Sequence, residues 1–201
     1  MKRFDSAYIL AGGQSSRFGE NKALVSVLGE PLIVRLASQL ASDGLRVTLV
    51  VQNLSVYARL GMQMIEDGVA HGGPLAGVLA ALRDANRLGI HWCYISSCDT
   101  LDWRTEWPAV LVSAIQSRPD SVAAVLSDGS DDEFRPLPGL YRSELWGLVS
   151  DLWRDGVRSM RKFHQSIGER VEKCRVEPDL LPKSFNTREE LTRLLAEKEL
   201  N

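Results

Sequence analysis

The chain has 201 residues and a formal net charge of -2, with 44% hydrophobic and 25% charged residues. This length suffices for one hydrophobic core, and we expect a single domain over residues 1–201. The near-neutral charge argues against a broad nucleic-acid surface, which normally carries a basic excess. No apolar run approaches the roughly 20 residues of a membrane span. Neither nucleic acid nor a membrane is therefore an expected partner.

The cysteines and the first ten residues indicate in which cellular compartment the protein is expected. Cys93, Cys98 and Cys174 are odd in number and follow no metal-ligand spacing, which indicates reduced thiols. The segment "MKRFDSAYIL" lacks the long apolar stretch and the cleavage site of a signal peptide. Both features predict a cytoplasmic protein.

In the first half of the chain, short apolar segments alternate with helical patterns. The predicted strands are Phe4–Leu10, "RVTLVVQ" (46–52), "MQMIED" (62–67) and "WCYISSCD" (92–99). A helix is predicted from Pro31 to about Asp43, with Gly44 as its stop, because proline suits a first helical turn. A second predicted helix is "PLAGVLAALRDA" (74–85), which also begins with proline.

The second half continues the alternation. Further helices are predicted at Pro108–Ser117, Ser143–Arg154 and Val157–Ile167, and further strands at Ser121–Ser127 and Arg170–Val176. "RPLPGLYR" (135–142) is predicted as a weaker strand, because its two prolines lack a backbone donor. Thr187 and Glu190 form a capping box that opens the last helix. Strands separated by helices predict an α/β fold with a mostly parallel sheet.

The segment "ILAGGQSSRFGENKALV" (9–25) follows the first predicted strand and is rich in glycine. In open α/β sheets, ligands bind beyond the carboxyl ends of the strands, and amides of Gly12 and Gly13 can approach a phosphate there. Arg17 can make forked hydrogen bonds to phosphate, and Lys22 adds a mobile charge. The spacing matches neither a P-loop nor a dinucleotide fingerprint. The residue types alone leave two interpretations open, an anion cradle or an ordinary turn with solvated cations.

Two aspartates also follow predicted strands. Asp99 ends "WCYISSCD" and is either a ligand for Mg²⁺, which favours oxygen, or a helix-capping or loop residue. Asp67 precedes the glycine-rich "GVAHGGPLAG" (68–77), and is either a ligand-binding residue or a turn aspartate. The carboxyl ends of parallel strands meet at one edge of a sheet. We therefore expect both carboxylates near Gly12.

Five motifs give the chain a resemblance to a known family. They are "LAGGQSSRFGENKAL" (10–24), "IEDGVAHGGPLAG" (65–77), "SSCDT" (96–100), "RPLPGLYR" (135–142) and "FNTREEL" (185–191). In order and spacing they resemble those of the molybdenum cofactor guanylyltransferase family, over nearly the whole chain. The resemblance implies a Rossmann-like nucleotidyltransferase fold, with a mostly parallel central sheet and helices on both faces.

The resemblance also implies a set of site residues. Arg17, Lys22 and Asp99 would be catalytic, with Asp99 as the Mg²⁺ ligand. The implied nucleotide-binding residues are Leu10, Ala11, Gly12, Gly13, Lys22, Asn53, Asp67, Pro74, Leu75, Ala76, Gly77 and Asp99. Gln52 is an alternative to Asn53 as the match to the family asparagine. Asn186 and Arg135, the latter at a position where the family has His or Gln, are implied on the acceptor side.

The family transfers GMP from GTP to the terminal phosphate of molybdopterin and releases pyrophosphate. For this chain the resemblance implies the substrates GTP and molybdopterin, and transient contact with other cofactor-biosynthesis proteins or molybdoenzymes. Two alternatives stay open: a related cytidylyl- or sugar-phosphate nucleotidyltransferase, and a non-catalytic nucleotide-binding relative. An anionic acceptor phosphate needs no activated nucleophile, so His71, His91 and His164 are expected to be surface or packing residues.

Overall fold

The computed structural model describes residues 4–12, 18–68, 72–101, 103–129 and 134–199. The strands are β1 (Ser6–Leu10), β2 (Ser26–Val27), β3 (Glu30–Pro31), β4 (Arg46–Val51), β5 (Met64–Glu66), β6 (Trp92–Ser97), β7 (Ala123–Ser127), β8 (Phe134–Arg142) and β9 (Val171–Arg175). Seven of them form one sheet in the order β5-β4-β1-β6-β8-β7-β9, and β2 pairs with β3 in a separate hairpin. Within the seven-stranded sheet, β8 runs antiparallel to its neighbours and the other pairs are parallel.

Helices cover both faces of this sheet. They are α1 (Leu32–Ser42), α2 (Leu54–Tyr57), α3 (Gly73–Arg87), α4 (Glu106–Ser117), α5 (Trp146–Arg154), α6 (Met160–Ile167) and α7 (Arg188–Glu199). Side chains alternate along β1: Ala7 and Ile9 pack with α1 and α4, while Tyr8 and Leu10 pack with α3, α5 and α6. The predicted mostly parallel sheet with helices on both faces is confirmed. Among the described helices, none has both the length and the apolar character needed to cross a bilayer.

A third hydrophobic cluster lies apart from these two layers. Phe18 and the hairpin residues Val25 and Val27 pack there against Phe185 and against Leu191 of α7. The rings of Phe18 and Phe185 have centroids 5.6 Å apart. The cluster therefore attaches the C-terminal segment to the glycine-rich segment that follows β1.

The strand predicted at residues 135–142 is confirmed as β8, although its prolines favoured a weaker strand than the one observed. It is nine residues long and lies inside the sheet between β6 and β7. The prolines are tolerated because the register to β7 shifts: Val125 pairs with Gly139, whereas Leu126 pairs with Arg135. Pro136 and Pro138 fall in this irregularity, outside the ladder, while the stretch from Gly139 onward pairs on both sides.

Other local predictions can be compared in the same way. The capping box is confirmed: the Glu190 amide donates to Thr187 Oγ1 (3.2 Å), and the Thr187 amide donates to a Glu190 carboxylate oxygen (3.3 Å). The hairpin β2–β3 and the short helix α2 were not predicted. The cysteines are free thiols. The single domain over residues 1–201 stays a prediction.

Candidate functional site

Three chain segments leave the sheet side by side at the carboxyl edge of its parallel strands. The Ala11 amide donates to Val50 O (2.8 Å), and the Cys98 amide donates to Leu10 O (3.0 Å). The Asp67 amide donates to Val51 O (2.9 Å). These bonds extend the sheet pairing past the strand ends and hold the three segments together. The three segments border a cavity of about 350 Å³. The residues that line it are Leu10, Gly12, Lys22, Asp67, Gly73, Pro74, Gly77, Ser97, Cys98 and Asp99.

Both the backbone and the side-chain ammonium group of Lys22 are held in place at this cavity. Its backbone lies in a 3-10 turn, Lys22–Leu24, that Asn21 caps by accepting from the Ala23 amide (3.1 Å). Its ammonium donates to Phe185 O (2.8 Å) and to Asn186 Oδ1 (3.0 Å). The nearest Asp99 carboxylate oxygen is 3.7 Å from Lys22 Nζ. A cation, a carboxylate and the C-terminal segment thus meet at one wall of the cavity.

Two glycines make the opposite wall compact. A Cβ on Gly12 would collide with the carboxylate of Asp67, so a side chain at position 12 would displace that group. A Cβ on Gly77 would lie 3.1 Å from Leu10 Cδ2, which is tighter than ordinary van der Waals contact. Glycine at both positions therefore lets β1, Asp67 and the first turns of α3 approach one another closely.

Cys98 precedes Asp99 and also lines the cavity. Burial raises the pKa of its thiol to about 12, and the neighbouring Asp99 carboxylate adds to the increase. The thiol is therefore protonated at neutral pH. A nucleophilic role for Cys98 is not supported, since the thiolate is the reactive form.

The structure brings together most of the residues that the sequence singled out. Leu10, Gly12, Lys22, Asp67, Pro74, Gly77 and Asp99 line the cavity. Asn186 joins them through its contact with Lys22. Ala11 is buried beside them, and its carbonyl oxygen accepts a hydrogen bond from the Tyr57 hydroxyl (3.0 Å). Gly13, Arg17 and His71 lie outside the described residues.

Other candidate residues lie elsewhere. Leu75 packs against the sheet with the other buried residues of α3, and Ala76 is also buried, but neither lines the cavity. The Asn53 side chain caps α2, accepting from the Ser55 amide at 2.9 Å, and it does not line the cavity. Arg135 is exposed on β8 at the carboxyl edge, and His91 is exposed at the opposite edge.

Sequence reasoning missed several residues at this site. Phe185 contributes a backbone oxygen to Lys22, and Tyr57 bonds to both Ala11 and Asn21. The motif "FNTREEL" contains Phe185, but a backbone contact over 163 positions leaves no trace in residue type. Ser97 and Gly73 were inside the quoted motifs without being assigned a role.

The donor set suits a metal ion that arrives with a substrate. Among the described residues, no group of three or more histidines, cysteines or carboxylates could by itself enclose a metal. Mg²⁺ is commonly bound through one or two carboxylates together with substrate phosphates and waters. A single carboxylate at Asp99, facing a cavity, fits that pattern.

A larger cleft lies at the amino edge of the sheet. Its volume is about 690 Å³, and its lining residues are Phe4, Asn86, His91, Trp92, Val112, Ile115, Gln116, Leu140, Arg142, Ser143 and Glu144. Arg142 already pairs with Glu144 (3.2 Å) and lies over the Trp92 ring. The charged side chains Arg142 and Glu144 of this cleft thus form a salt bridge with each other.

Comparisons with known proteins show the family to which the chain belongs. The model of the "MobA-like NTP transferase domain" family matches residues 7–171. A "Probable molybdenum cofactor guanylyltransferase" from Opitutus terrae is 31% identical over 172 residues, which is 84% of this chain and 81% of that protein.

Two solved structures share the fold. The "Molybdopterin-guanine dinucleotide biosynthesis protein A" of Archaeoglobus fulgidus has a TM-score of 0.70 and 21% identity, covering 96% of this chain and 99% of that one. The "4-diphosphocytidyl-2C-methyl-D-erythritolsynthase" of Anaerococcus prevotii has a TM-score of 0.74 and 11% identity, covering 98% and 99%. The chain belongs to the MobA-like NTP transferase family and is a nucleotidyltransferase.

Proposed function

We propose that this protein transfers GMP from GTP to the terminal phosphate of molybdopterin and releases pyrophosphate. The observation that carries the proposal is the meeting of Gly12, Asp67, Asp99 and Lys22 around one cavity at the carboxyl edge. The relative named as a guanylyltransferase supports the choice of substrates. The free thiols fit the reducing environment of the cytoplasm, where we place the reaction.

In the proposed reaction, an oxygen of the acceptor phosphate attacks the α-phosphorus of GTP. A new P–O bond forms, and the bond from the α-phosphorus to the oxygen bridging to the β-phosphorus breaks, so that pyrophosphate leaves. The attacking oxygen is already anionic and needs no base. The work left to the protein is to hold the groups in line and to neutralise crowded negative charge.

Different residues at the cavity are proposed to orient the substrates and to neutralise their negative charge. Lys22, held near Asp99 and the C-terminal segment, supplies positive charge for the triphosphate. Asp99 is proposed to hold Mg²⁺, which when bound would stabilise negative charge on the phosphate oxygens. Arg17 is proposed to join Lys22 on the triphosphate. Asn186, which accepts from Lys22, and Arg135 are proposed to contact the acceptor.

The base is proposed to bind beside Asp67 and the start of α3. Asp67, Gly73, Pro74 and Gly77 form this part of the lining. A carboxylate and backbone oxygens there can accept from the N1–H and N2 donors of guanine, a set that adenine lacks. A site built to pair such donors discriminates strongly against a base without them.

Nucleotide selectivity tests the proposal directly. We expect the protein with Mg²⁺ to bind GTP more tightly than CTP, ATP or UTP in calorimetric titrations. Equal binding of GTP and ATP would contradict the assignment of the base site. Preference for CTP would instead favour the cytidylyltransferase alternative.

Turnover separates a transferase of this specificity from a nucleotide-binding relative that does not catalyse. Incubation with GTP, Mg²⁺ and molybdopterin should release pyrophosphate and yield the guanine dinucleotide, as measured by mass spectrometry. The matched control omits molybdopterin and should give no pyrophosphate. Tight GTP binding with no product would count against the proposed reaction.

A further inference from the structure

The two described ends of the glycine-rich segment are joined through a side chain that lies outside all five motifs. Tyr57, at the end of α2, is 3% exposed. Its hydroxyl lies 3.0 Å from Ala11 O, at the start of the segment, and 2.9 Å from Asn21 Nδ2, at its end. Ala11 precedes Gly12, and Asn21 precedes Lys22. One phenol therefore connects the residues that precede Gly12 and Lys22, and Gly12 and Lys22 both line the cavity.

The Tyr57 hydroxyl is within hydrogen-bond distance of the Asn21 side chain and of the Ala11 carbonyl oxygen. Asn21 Oδ1 accepts from the Ala23 amide (3.1 Å) and also lies 3.2 Å from the tyrosine oxygen, whereas Asn21 Nδ2 donates to that oxygen over 2.9 Å. The Tyr57 hydroxyl then donates to Ala11 O. Burial raises the pKa of Tyr57, so the phenol keeps its proton at neutral pH. The phenol thus links the turn that carries Lys22 to the carbonyl group before Gly12.

We infer that Tyr57 is a positioning residue for nucleotide binding, which holds Lys22 at the correct distance from Gly12. Without the hydroxyl, the amide of Asn21 and the carbonyl of Ala11 lose their common partner. The turn Lys22–Leu24 can then shift relative to β1, and the Lys22 ammonium shifts with it. Tyr57 itself is not among the residues that line the cavity. The inference rests on the proposed function, because it assumes that the cavity binds the triphosphate.

The test compares two buried tyrosines that each donate one hydrogen bond. Tyr57→Phe removes the connecting hydroxyl and keeps the ring. Tyr8→Phe is the matched control, since Tyr8 is 1% exposed and its hydroxyl donates to Asp84 (3.0 Å), away from the cavity lining. We expect Tyr57→Phe to weaken Mg²⁺–GTP binding about tenfold in titration calorimetry. Tyr8→Phe should stay within about twofold of the unmodified protein.

A double-mutant cycle with Lys22→Ala distinguishes positioning from a general loss of stability. If Tyr57 acts through Lys22, Tyr57→Phe should have little further effect on GTP binding in the Lys22→Ala background. An equal weakening in both backgrounds would overturn the inference, as would equal losses in Tyr57→Phe and Tyr8→Phe. Failure of the unmodified protein to bind GTP would refute the proposed function itself.

Asn21→Ala supplies a second variant should Tyr57→Phe not fold by circular dichroism. It breaks the same connection at a partly exposed position. Because this variant also removes the cap on the Ala23 amide, we expect GTP binding to weaken at least as much as in Tyr57→Phe. Unchanged GTP affinity in folded Asn21→Ala or folded Tyr57→Phe would overturn the inference.

Discussion

The two cavities at opposite edges of the sheet differ in size and in chemistry, and we propose that the reaction takes place in the smaller one. The amino-edge cleft has about twice the volume, 690 Å³ against 350 Å³. In both cavities the cation already has partners: Arg142 contacts Glu144 and Trp92, and Lys22 contacts Asp99 and the C-terminal segment. The carboxyl-edge cavity differs in its lining, which is formed by the ends of β1 and β6, the residue after β5, and the first turns of α3. Volume alone therefore does not locate the site in this molecule.

The difference follows from how parallel strands are connected. At the carboxyl edge, each strand is followed by a segment that can vary in sequence without altering the sheet. Gly12 follows β1, Asp67 follows β5 and Asp99 lies shortly after β6. At the amino edge, Phe4 precedes β1 and Ile115 lies in the last turn of α4, and both pack against the hydrophobic core. Substitutions at the two edges should therefore have very different effects on turnover.

The largest effect is expected for Asp99→Asn. This change keeps the shape of the side chain and removes its charge, so a metal ion would lose its fixed position near the α-phosphorus. We expect the rate to fall at least about a hundredfold, in line with the loss of one electrostatic element of an active site. GTP binding should suffer less, because the triphosphate can bring Mg²⁺ with it. Steady-state turnover and calorimetric GTP titration together measure this contrast.

Glu66→Gln is the matched control for Asp99→Asn. Glu66 is an exposed carboxylate at the same edge of the sheet, and it does not line the cavity. Its neutralisation should leave turnover nearly unchanged. A folded Asp99→Asn protein with normal turnover and normal Mg²⁺ dependence would show that the metal binds elsewhere.

A smaller loss is expected for Lys22→Ala, in both GTP binding and turnover. The ammonium would contact the triphosphate before reaction, and a charge-assisted hydrogen bond contributes roughly 1.5–3 kcal/mol. The expected change is therefore about one to two powers of ten in each quantity. Lys183→Ala removes the same charge from an exposed position outside the cavity lining and serves as the control. If Lys22→Ala binds GTP and turns over normally, the glycine-rich segment is an ordinary turn.

The carboxyl edge was the part of the molecule best predicted from sequence. Gly12 and Asp99 directly follow apolar strand patterns, and the rule that parallel strands end together places them near each other. Asn53 shows the limit of this rule. It also follows a strand, β4, but its side chain caps α2, a helix too short to be recognised from periodicity.

Contacts between distant segments were the part that could not be predicted. Lys22 meets Phe185 through a backbone oxygen, which any residue type supplies. The interior position of β8 could not be predicted for a different reason, because its prolines weaken the strand pattern in the sequence. These prolines are tolerated because the register of β8 to β7 shifts. Both depend on tertiary packing rather than on local sequence.

The smallest effect is expected at the larger cleft, for His91→Ala. His91 is exposed and precedes β6, so its side chain lies at the edge of the sheet opposite Lys22 and Asp99. The Ser143 amide donates to the backbone oxygen of His91 (3.0 Å), a bond that alanine retains. An exposed side chain without a structural role contributes little when removed, so turnover and GTP binding should stay within about twofold of the unmodified protein. Turnover and GTP binding of His91→Ala should be measured beside those of Asp99→Asn, so that substitutions at the two edges are compared under the same conditions. A loss of turnover in folded His91→Ala comparable to that of Lys22→Ala would mean that the amino-edge cleft takes part in the reaction, and the contrast between the two edges would fail.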